Sequence, residues 1–178
     1  MNTLLHKIHS AFAADGIRFL LVGGFAVNAH RVSRMTNDVD VAVQDADVPR
    51  ALEALRKLGY VVFHRAETFY RLRPTILPFM DLDLMLLSSE TFGRLIADAP
   101  EWESRGLIFK IPSVRNLIAM KLHACKHGGF RREIKDLIDV VQLIETHHLD
   151  PTEPAFREIC LRYGNAGLYE SILKAVRE

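Results

Sequence analysis

Short apolar runs alternate with turn-forming residues through the first part of the chain. Phe19–Val22 is such a run and ends at Gly23-Gly24, which predicts a buried strand followed by a turn. In Val39–Val43 apolar residues alternate with aspartate, which predicts a second strand. Three further strand-like runs are residues 60–64, 68–72 and 79–87.

In other segments apolar residues recur at helical spacing. Helices are predicted at residues 3–14, 25–29, 113–126, 131–146, 154–163 and 167–177. One more helix, capped by Asp45 or Asp47, is expected to end at Gly59, and another follows a cap at Ser88 or Ser89.

The pattern changes from mixed α/β to helical near Pro112. We therefore predict an α/β domain over residues 1–111 and a helical region over residues 112–178 that packs on it. The 178 residues, of which 49% are apolar and 25% charged, are typical of a soluble globular protein with one domain or slightly more. A net charge of +1 argues against bulk attraction to nucleic acid.

The two cysteines, Cys125 and Cys160, lie far apart without a C-x-x-C pattern, which favours reduced thiols in a cytoplasmic protein. Near the N-terminus, Asp15, Gly16 and Arg18 interrupt any apolar core that a signal peptide would need. No apolar stretch reaches the roughly 18 residues that span a bilayer. We therefore expect a cytoplasmic location and no membrane contact.

The candidate chemistry lies in the aspartates. Asp38 and Asp40 are two apart on a predicted strand, so their side chains point to the same face. Two such carboxylates repel each other unless a cation lies between them, and a divalent cation is the usual one. A third ligand is expected from Asp81 or Asp83 on a later strand. Oxygen ligands suit Mg²⁺ or Mn²⁺.

Taken singly, each part of this pattern has an ordinary structural explanation. A glycine pair more often forms a turn than a phosphate-binding loop. An isolated D-x-D more often lies at a solvated strand edge or in a loop than in a metal site. The order of the parts favours a metal site: an apolar strand, Gly23-Gly24, thirteen intervening residues, Asp38-Val39-Asp40-Val41 and a later aspartate strand. The glycines would let backbone amides approach triphosphate oxygens closely.

The segment from Val22 to Val41 resembles the signature of the nucleotidyltransferase superfamily, in which hG[GS] is followed after nine to thirteen residues by D-h-[DE]-h, where h is a hydrophobic residue. The local form RMTNDVD at residues 34–40 is similar to the R-x-[ST]-x-D-h-D of the AbiEii-type branch, which includes nucleotidyltransferase toxins. Residues 117–124 (LIAMKLHA) and 131–139 (RREIKDLID) are similar to two helical motifs of that branch. The resemblance covers about residues 19–145.

The resemblance implies a mixed β-sheet flanked by helices and followed by a C-terminal helical bundle. It implies that Gly23, Gly24, Arg34, Thr36 and Lys121 bind the nucleotide. Asp38, Asp40 and Asp83 would hold the metal, with Asp83 favoured over Asp81 because it precedes an apolar run that ends in small residues. Asp136 would be a functional carboxylate on the helix facing Lys121.

Two of these residues also have a structural explanation. Lys121 lies on a largely apolar helix, where its ammonium needs either a protein carboxylate or a phosphate, or reaches water from a packed stem. Asp136 is able to form a surface ion pair with a neighbouring basic residue. His123 and His127 have zinc-ligand spacing but lack the glutamate of a metalloprotease, and we favour a position for them at the surface or beside the nucleotide.

The predicted function is metal-dependent transfer of a nucleoside monophosphate from a nucleoside triphosphate to an acceptor hydroxyl, with release of pyrophosphate. The AbiEii resemblance implies an RNA acceptor, such as the 3′ end of tRNA, and a cognate antitoxin as a partner. Two alternatives stay open. One is transfer to a small-molecule acceptor of the antibiotic type, and the other is a degenerate module that binds nucleotide or a partner protein without turnover.

Overall fold

The computed structural model describes residues 2–76, 78–128 and 130–176, apart from the side chains of residues 2, 3 and 130–132. Its elements in chain order are α1 (Asn2–Ala14), β1 (Phe19–Leu21), α2 (Gly23–Ala29), β2 (Asp38–Gln44), α3 (Val48–Lys57), β3 (Tyr60–Arg65), β4 (Phe69–Pro74), β5 (Asp81–Leu87), α4 (Ser89–Ala97), β6 (Glu101–Ser104), β7 (Leu107–Lys110), α5 (Val114–His127), α6 (Phe130–Thr146), α7 (Pro154–Tyr163) and α8 (Ala166–Ala175). Residue 177, in the last predicted helix, lies outside the described residues.

Five strands form one sheet in the order β1-β2-β5-β4-β3. Strands β2 and β5 are parallel, and the other neighbouring pairs are antiparallel. The predicted mixed sheet with flanking helices is therefore confirmed. The parallel pair places the two aspartate-bearing strands side by side.

One face of this sheet is buried and the other carries polar side chains. Val39, Val41, Leu82 and Leu84 are fully buried, and helices α3 and α4 pack against β2. Because successive side chains on a strand point to opposite faces, the aspartates that alternate with these residues lie on the other face. The apolar alternation that makes the strands thus also positions the carboxylates.

Local signals at helix ends were partly predictive. The hydroxyl of Ser88 accepts a hydrogen bond from the backbone N–H of Thr91 at 3.2 Å, which confirms the predicted cap of α4. Asp47 precedes α3 but caps no helical N–H; its carboxylate instead accepts hydrogen bonds from Gln44 and Arg50. The carboxylate of Asp45, the other candidate, accepts hydrogen bonds from the N–H of Ala46 and the hydroxyl of Ser89. The expectation of an aspartate side-chain cap at α3 was therefore wrong.

The hairpin formed by β6 and β7 was not predicted. Its turn consists of Arg105 and Gly106, with φ of 50° and 80°. Two consecutive residues with positive φ are typical of the tight turns that join antiparallel strands, since their twist matches that of the strands. The glycine was a usable signal, but the strands have only four residues each.

The chain divides into two compact units. Unit 1 comprises the chain up to Ala26 together with Arg34–Ser113, and unit 2 comprises Val27–Ser33 together with the chain from Val114 onward. The boundary therefore falls inside α2, and a short segment of the N-terminal half belongs to the helical unit. In unit 2, α5 packs against α6 and α7, and α8 packs against α6 and α7.

Both cysteines lie in the helical unit and are free and buried. Within the described residues, no helix combines the length and the apolar character needed to cross a bilayer.

Candidate active site

The parallel pairing of β2 and β5 aligns four aspartates. Asp38 pairs with Asp81, and Asp40 pairs with Asp83. Residues that pair directly on neighbouring strands point to the same face of a sheet, so all four carboxylates share the open face. The register thus concentrates negative charge at one end of two central strands.

Asp38, Asp40 and Asp83 form the tightest cluster on this face. Each offers a carboxylate oxygen, and the three oxygens lie within 4.8 Å of one another. The three residues are partly exposed, so a ligand is able to reach them. Three oxygen donors at this spacing fit Mg²⁺ or Mn²⁺, which prefer carboxylates and keep several waters. A cation between them also relieves the repulsion of three like charges.

Asp81 lies outside this cluster in the structure. Its carboxylate is 3.7 Å from Nε of Arg73 and its side chain is 45% exposed. The sequence left Asp81 and Asp83 as alternatives for the third ligand, since both lie on the same face of one strand. The register pairs each of them with an aspartate of β2, and the carboxylate distances separate them: among the described residues, it is Asp83 whose oxygen lies within 4.8 Å of those of Asp38 and Asp40.

Gly23 and Gly24 lie directly against the acidic cluster. Gly23 has φ +58°, and a β-carbon on it would overlap the carboxylate of Asp40. A β-carbon on Gly24 would lie 2.6 Å from Oγ1 of Thr36 and 3.3 Å from Nη1 of Arg34. Helix α2 begins at Gly23, two residues before the predicted start. Both positions therefore need glycine because side chains of this chain, Asp40 at Gly23 and Thr36 at Gly24, pack directly against them.

Thr36 contacts the first aspartate of the cluster. Its hydroxyl donates a hydrogen bond to Oδ1 of Asp38 at 3.0 Å and lies 3.2 Å from the backbone carbonyl oxygen of Asp38. A donor on one carboxylate oxygen fixes the orientation of the group and leaves its other lone pairs for a ligand. The geometry therefore supports a role for Thr36 in orienting the Asp38 carboxylate.

Two arginines on β4 flank the aspartates of β5, and the sequence did not single them out. Nε of Arg71 lies 3.5 Å from Oδ2 of Asp83, and Nε of Arg73 is the partner of Asp81 described above. The available signal was their spacing: Arg71 and Arg73 are two apart on a strand, as are the aspartates that they face.

Lys121 and Asp136 come together in unit 2, in a cluster that also contains Asp139. The Lys121 ammonium lies 2.6 Å from Oδ1 of Asp136 and 2.7 Å from Oδ2 of Asp139. All three residues are buried, with at most 7% of their surface exposed. Of the two anions that the sequence allowed for Lys121, the structure shows protein carboxylates. The side chains of Arg131 and Arg132, in the same helical motif, lie outside the described residues.

The histidines and cysteines form no comparable cluster in the described part of the chain. His123 and His127 stack on each other at 4.4 Å between ring centroids, and both are exposed. Partial desolvation of the His123 ring, together with the charges of His127 and Lys126, lowers the pKa of His123. Burial raises the pKa of the Cys125 thiol to about 12, so the free thiol is protonated at neutral pH.

Three solved structures illustrate the similarity of this fold to known proteins. The antibiotic-resistance factor ANT(2″)-Ia, in complex with adenylyl-2″-tobramycin, has a TM-score of 0.58 and 18% identity over 98% of this chain and 95% of that one. The lincosamide antibiotic adenylyltransferase LnuA, with lincomycin bound, has a TM-score of 0.61 and 15% identity over 82% of this chain and 98% of that one. An antigenic nucleotidyltransferase-like protein from Paracoccidioides brasiliensis has a TM-score of 0.56 and 12% identity over 97% of this chain and 91% of that one. At these identities the likeness shows a shared fold.

No curated protein matches the sequence significantly. The model of a protein family described as "uncharacterised nucleotidyltransferase" matches residues 1–178. That match includes the glycine pair, both aspartate strands and the helical unit. The chain therefore belongs to this nucleotidyltransferase family.

Proposed function

We propose that the protein transfers a nucleoside monophosphate from a nucleoside triphosphate to an acceptor hydroxyl and depends on Mg²⁺ or Mn²⁺. The observation that carries this proposal is the cluster of Asp38, Asp40 and Asp83, whose oxygens lie within 4.8 Å of one another beside Gly23. Such a cluster has the ligand chemistry for two-metal phosphoryl transfer. Membership of a nucleotidyltransferase family gives the class of reaction.

In the proposed reaction the acceptor hydroxyl oxygen forms a bond to the α-phosphorus of the triphosphate. The bond from the α-phosphorus to the bridging oxygen breaks in line with it, and pyrophosphate leaves. The divalent cation, when bound, lowers the pKa of the hydroxyl and neutralises charge on the leaving group. The hydroxyl proton passes to a carboxylate of the cluster or through it to solvent. Positioning and charge neutralisation supply most of the rate enhancement.

Each residue beside the cluster has a proposed part in this arrangement. Asp38, Asp40 and Asp83 hold the cation, and Thr36 keeps the Asp38 carboxylate oriented through its 3.0 Å hydrogen bond. Gly23, which lacks a side chain, allows Asp40 to approach the start of α2. Gly24 allows the triphosphate to approach, and the guanidinium of Arg34, close to Gly24, contacts it.

For Lys121 and Asp136 we retain, as proposals, the roles that the family resemblance implies. The contact of Lys121 with nucleotide phosphates would have to coexist with its two carboxylate partners, Asp136 and Asp139. The minimum role supported by these 2.6 and 2.7 Å contacts is that Asp136 and Asp139 hold the ammonium in one place. A lysine fixed in this way offers its third N–H donor without losing side-chain entropy on binding.

For the acceptor we propose RNA, as in the AbiEii-type branch that the sequence motifs resemble, with the 3′ end of tRNA as the first candidate. A toxin of that branch would have a cognate antitoxin, and it would act in the cytoplasm, where its substrates are. Expression of the protein is then expected to arrest growth, and the variant lacking the cluster is expected to be harmless. Growth arrest by both forms alike would argue against a toxic transferase activity.

The test of the function is a transfer assay with each of four α-labelled nucleoside triphosphates, total tRNA, and tobramycin or lincomycin as small-molecule acceptors. We expect Mg²⁺-dependent label on RNA, and no label with Asp38→Asn plus Asp40→Asn. Asp15→Asn, an exposed aspartate on a loop of the same unit, is the control. Unchanged transfer by the double variant would overturn the proposal, and label on an antibiotic alone would move the acceptor to the small-molecule class.

The alternative of a binding module without turnover makes a different prediction. Such a module would bind nucleoside triphosphate with the same affinity with and without Mg²⁺, because its carboxylates would have no role. We expect instead that calorimetry shows tighter nucleotide binding with Mg²⁺, and that the Asp38→Asn plus Asp40→Asn variant loses this difference. Metal-independent binding without transfer would favour the module.

A further inference from the structure

The open face of the sheet continues beyond the acidic cluster onto β4 and β3. Arg71 pairs with Asp83, and Asp83 pairs with Asp40, so these three residues form one row across three adjacent strands. Neighbouring strands lie about 4.8 Å apart, which places Arg71 one strand away from the third carboxylate. His64 on the edge strand pairs with Arg71 and extends the same row. This part of the sheet belongs entirely to unit 1.

The arginines on this face lie over aromatic rings. The guanidinium carbon of Arg71 is 5.3 Å from the ring centroid of Phe69, and that of Arg73 is 4.5 Å from the ring centroid of Phe63. Both arginine side chains remain accessible, at 42% and 61% exposed, and Phe63 is 47% exposed. We call this set of residues, with His64, the Arg–Phe face.

The acidic partners of these arginines hold them only loosely. At 3.5 Å and 3.7 Å, the contacts of Arg71 with Asp83 and of Arg73 with Asp81 exceed the usual N–H···O distance. Nε of Arg71 is buried and has no hydrogen-bond partner within the described residues. Exposed ion pairs contribute little to stability, so an incoming anion is able to take over these guanidinium groups at small cost. A cation held by Asp83 would leave Arg71 still less neutralised.

We propose that the Arg–Phe face binds the acceptor, and that this acceptor is single-stranded RNA whose backbone phosphates contact Arg71 and Arg73. This inference rests on the proposed transfer reaction and specifies its acceptor site. Guanidinium groups bind phosphate bidentately, and exposed aromatic rings stack with unpaired bases. A strand that crosses β3 and β4 in this way directs its terminal hydroxyl toward Asp83 and Asp40.

The charge of the face separates this occupant from a cationic small molecule. An aminoglycoside carries several ammonium groups, and Arg71 and Arg73 would repel them next to the reacting position once a divalent cation neutralises Asp38, Asp40 and Asp83. A phosphodiester strand carries the opposite charge and also uses Phe63 and Phe69. Charge complementarity together with exposed rings therefore favours RNA over a cationic antibiotic.

The direct test measures binding without catalysis. A fluorescein-labelled 12-nucleotide RNA with mixed sequence is titrated with the full chain, with Mg²⁺ and without nucleotide, and its anisotropy is followed over a series of salt concentrations. We expect Arg71→Gln and Arg73→Gln each to weaken binding about tenfold, since each removes a charged hydrogen-bond donor. Each should also reduce the slope of log K against log salt by about 0.7, the value for one phosphate contact on a single strand.

Arg56→Gln is the matched control, because Arg56 is an exposed arginine of the same unit that pairs with Glu53 on α3. It should leave both affinity and slope unchanged. Arg71→Lys keeps the charge but loses the planar fork and is expected to restore the salt slope and only part of the affinity. Circular dichroism and thermal unfolding establish that each variant is folded. If Arg71→Gln is unfolded, the RNA affinities of Arg71→Lys and Arg73→Gln test the proposal instead.

Three results would overturn the inference. One is equal binding of an uncharged methylphosphonate strand of the same sequence. Another is unchanged RNA affinity in the Arg71→Gln plus Arg73→Gln variant. The third is a dimer in sedimentation that the same two changes dissociate, which would make the face an interface between copies. Nucleotide affinity with Mg²⁺ is measured in parallel: if it is intact while RNA binding fails, only the acceptor assignment is wrong, and if it is absent, the transfer function itself is wrong.

Discussion

Gly23 and Asp40 are in such close contact that a β-carbon on residue 23 would overlap the Asp40 carboxylate. The glycine of the N-terminal motif and the second aspartate, seventeen positions later in the printed sequence, are therefore one structural unit. The backbone links them as well, since the N–H of Val22 donates to the carbonyl oxygen of Asp40 at 3.0 Å. The absence of a side chain at Gly23 is therefore what allows the Asp40 carboxylate to take this position.

Gly23→Ala is expected to reduce Mn²⁺ affinity and transfer activity sharply, because the new methyl group displaces the Asp40 carboxylate. Gly16→Ala is the matched control: Gly16 has φ +62°, similar to +58° at Gly23, but no atom lies within 4 Å of the position of its β-carbon. Backbone strain should lower the free energy of unfolding by about 1–2 kcal/mol in both variants, and the overlap with Asp40 adds to this loss in Gly23→Ala. Only Gly23→Ala should change Mn²⁺ binding, measured by electron paramagnetic resonance. Equal Mn²⁺ affinity in the two variants would refute the contact.

Asp83→Asn is expected to lower kcat by more than about 100-fold, because losing even an outer-shell partner of a metal site costs 10–100-fold. Asp81→Asn should lower kcat less than about tenfold, since Asp81 lies outside the cluster and forms an exposed ion pair with Arg73. The measurement is kcat at saturating nucleotide and acceptor, over a range of Mg²⁺ concentrations. A larger loss in Asp81→Asn than in Asp83→Asn would reverse the choice of the third ligand.

Lys121→Met is expected to lower the free energy of unfolding by about 3–5 kcal/mol, because it leaves two buried carboxylates without their cation. Replacing all three members, with Lys121→Met, Asp136→Leu and Asp139→Leu, should restore most of that loss, since an apolar cluster of similar volume has no charge to compensate. Urea unfolding of both variants measures this. A stable Lys121→Met variant would contradict the buried ion cluster.

The same triple variant tests the role of Lys121 in nucleotide binding apart from its role in folding. If Lys121 contacts phosphate, the restored protein still binds nucleoside triphosphate at least about tenfold more weakly than the natural protein. Calorimetry at one Mg²⁺ concentration gives the two affinities. Full nucleotide affinity in the restored variant would limit Lys121 to the structural role.

Cys125 and Cys160 are expected to be inert to iodoacetamide at pH 8 in the folded protein and to react after denaturation. Burial raises their thiol pKa values to about 12 and about 11, from an ordinary value of 9.0, so the folded thiols stay protonated. Above pH 9 the unfolded chain loses these protons while the folded chain keeps them, and the free energy of unfolding therefore falls as pH rises. Mass spectrometry of the alkylated protein and unfolding between pH 8 and 10.5 check the two statements. Rapid alkylation of native Cys125 would contradict its burial.

Secondary structure could be predicted where apolar periodicity is strong. The amphipathic helix α1 and the strands β2 and β5 follow directly from it, because their buried faces repeat regularly in the sequence. The hairpin of β6 and β7 was missed, since four-residue strands give too few repeats and their pairing depends on a turn with positive φ at Arg105 and Gly106. The Asp47 cap failed because Arg50 and Gln44 hold that carboxylate away from the helical N–H groups.

The candidate site was predictable in its ligand types and less so in its partners. The glycine pair and Asp38-Val39-Asp40 stand close enough in sequence to be read together. Arg71 and Arg73 were missed, because their proximity to the aspartates comes from strand pairing across the sheet. Lys121 had two allowed anionic partners, and only the packing of α5 on α6 brings Asp136 and Asp139 to its ammonium.

The sequence by itself predicted the nucleotidyltransferase class, the strands that carry the aspartates and the carboxylate oxygens of the candidate site, and the AbiEii-type branch stays a prediction. These properties depend on residues within one strand or one short segment, where spacing alone sets the geometry. Only the tertiary structure decided that β2 and β5 pair in parallel with Asp40 beside Asp83, and that Arg71 and Arg73 extend the same face. Strand order and register depend on packing the whole buried face against the helices, and no local pattern encodes that balance of contacts.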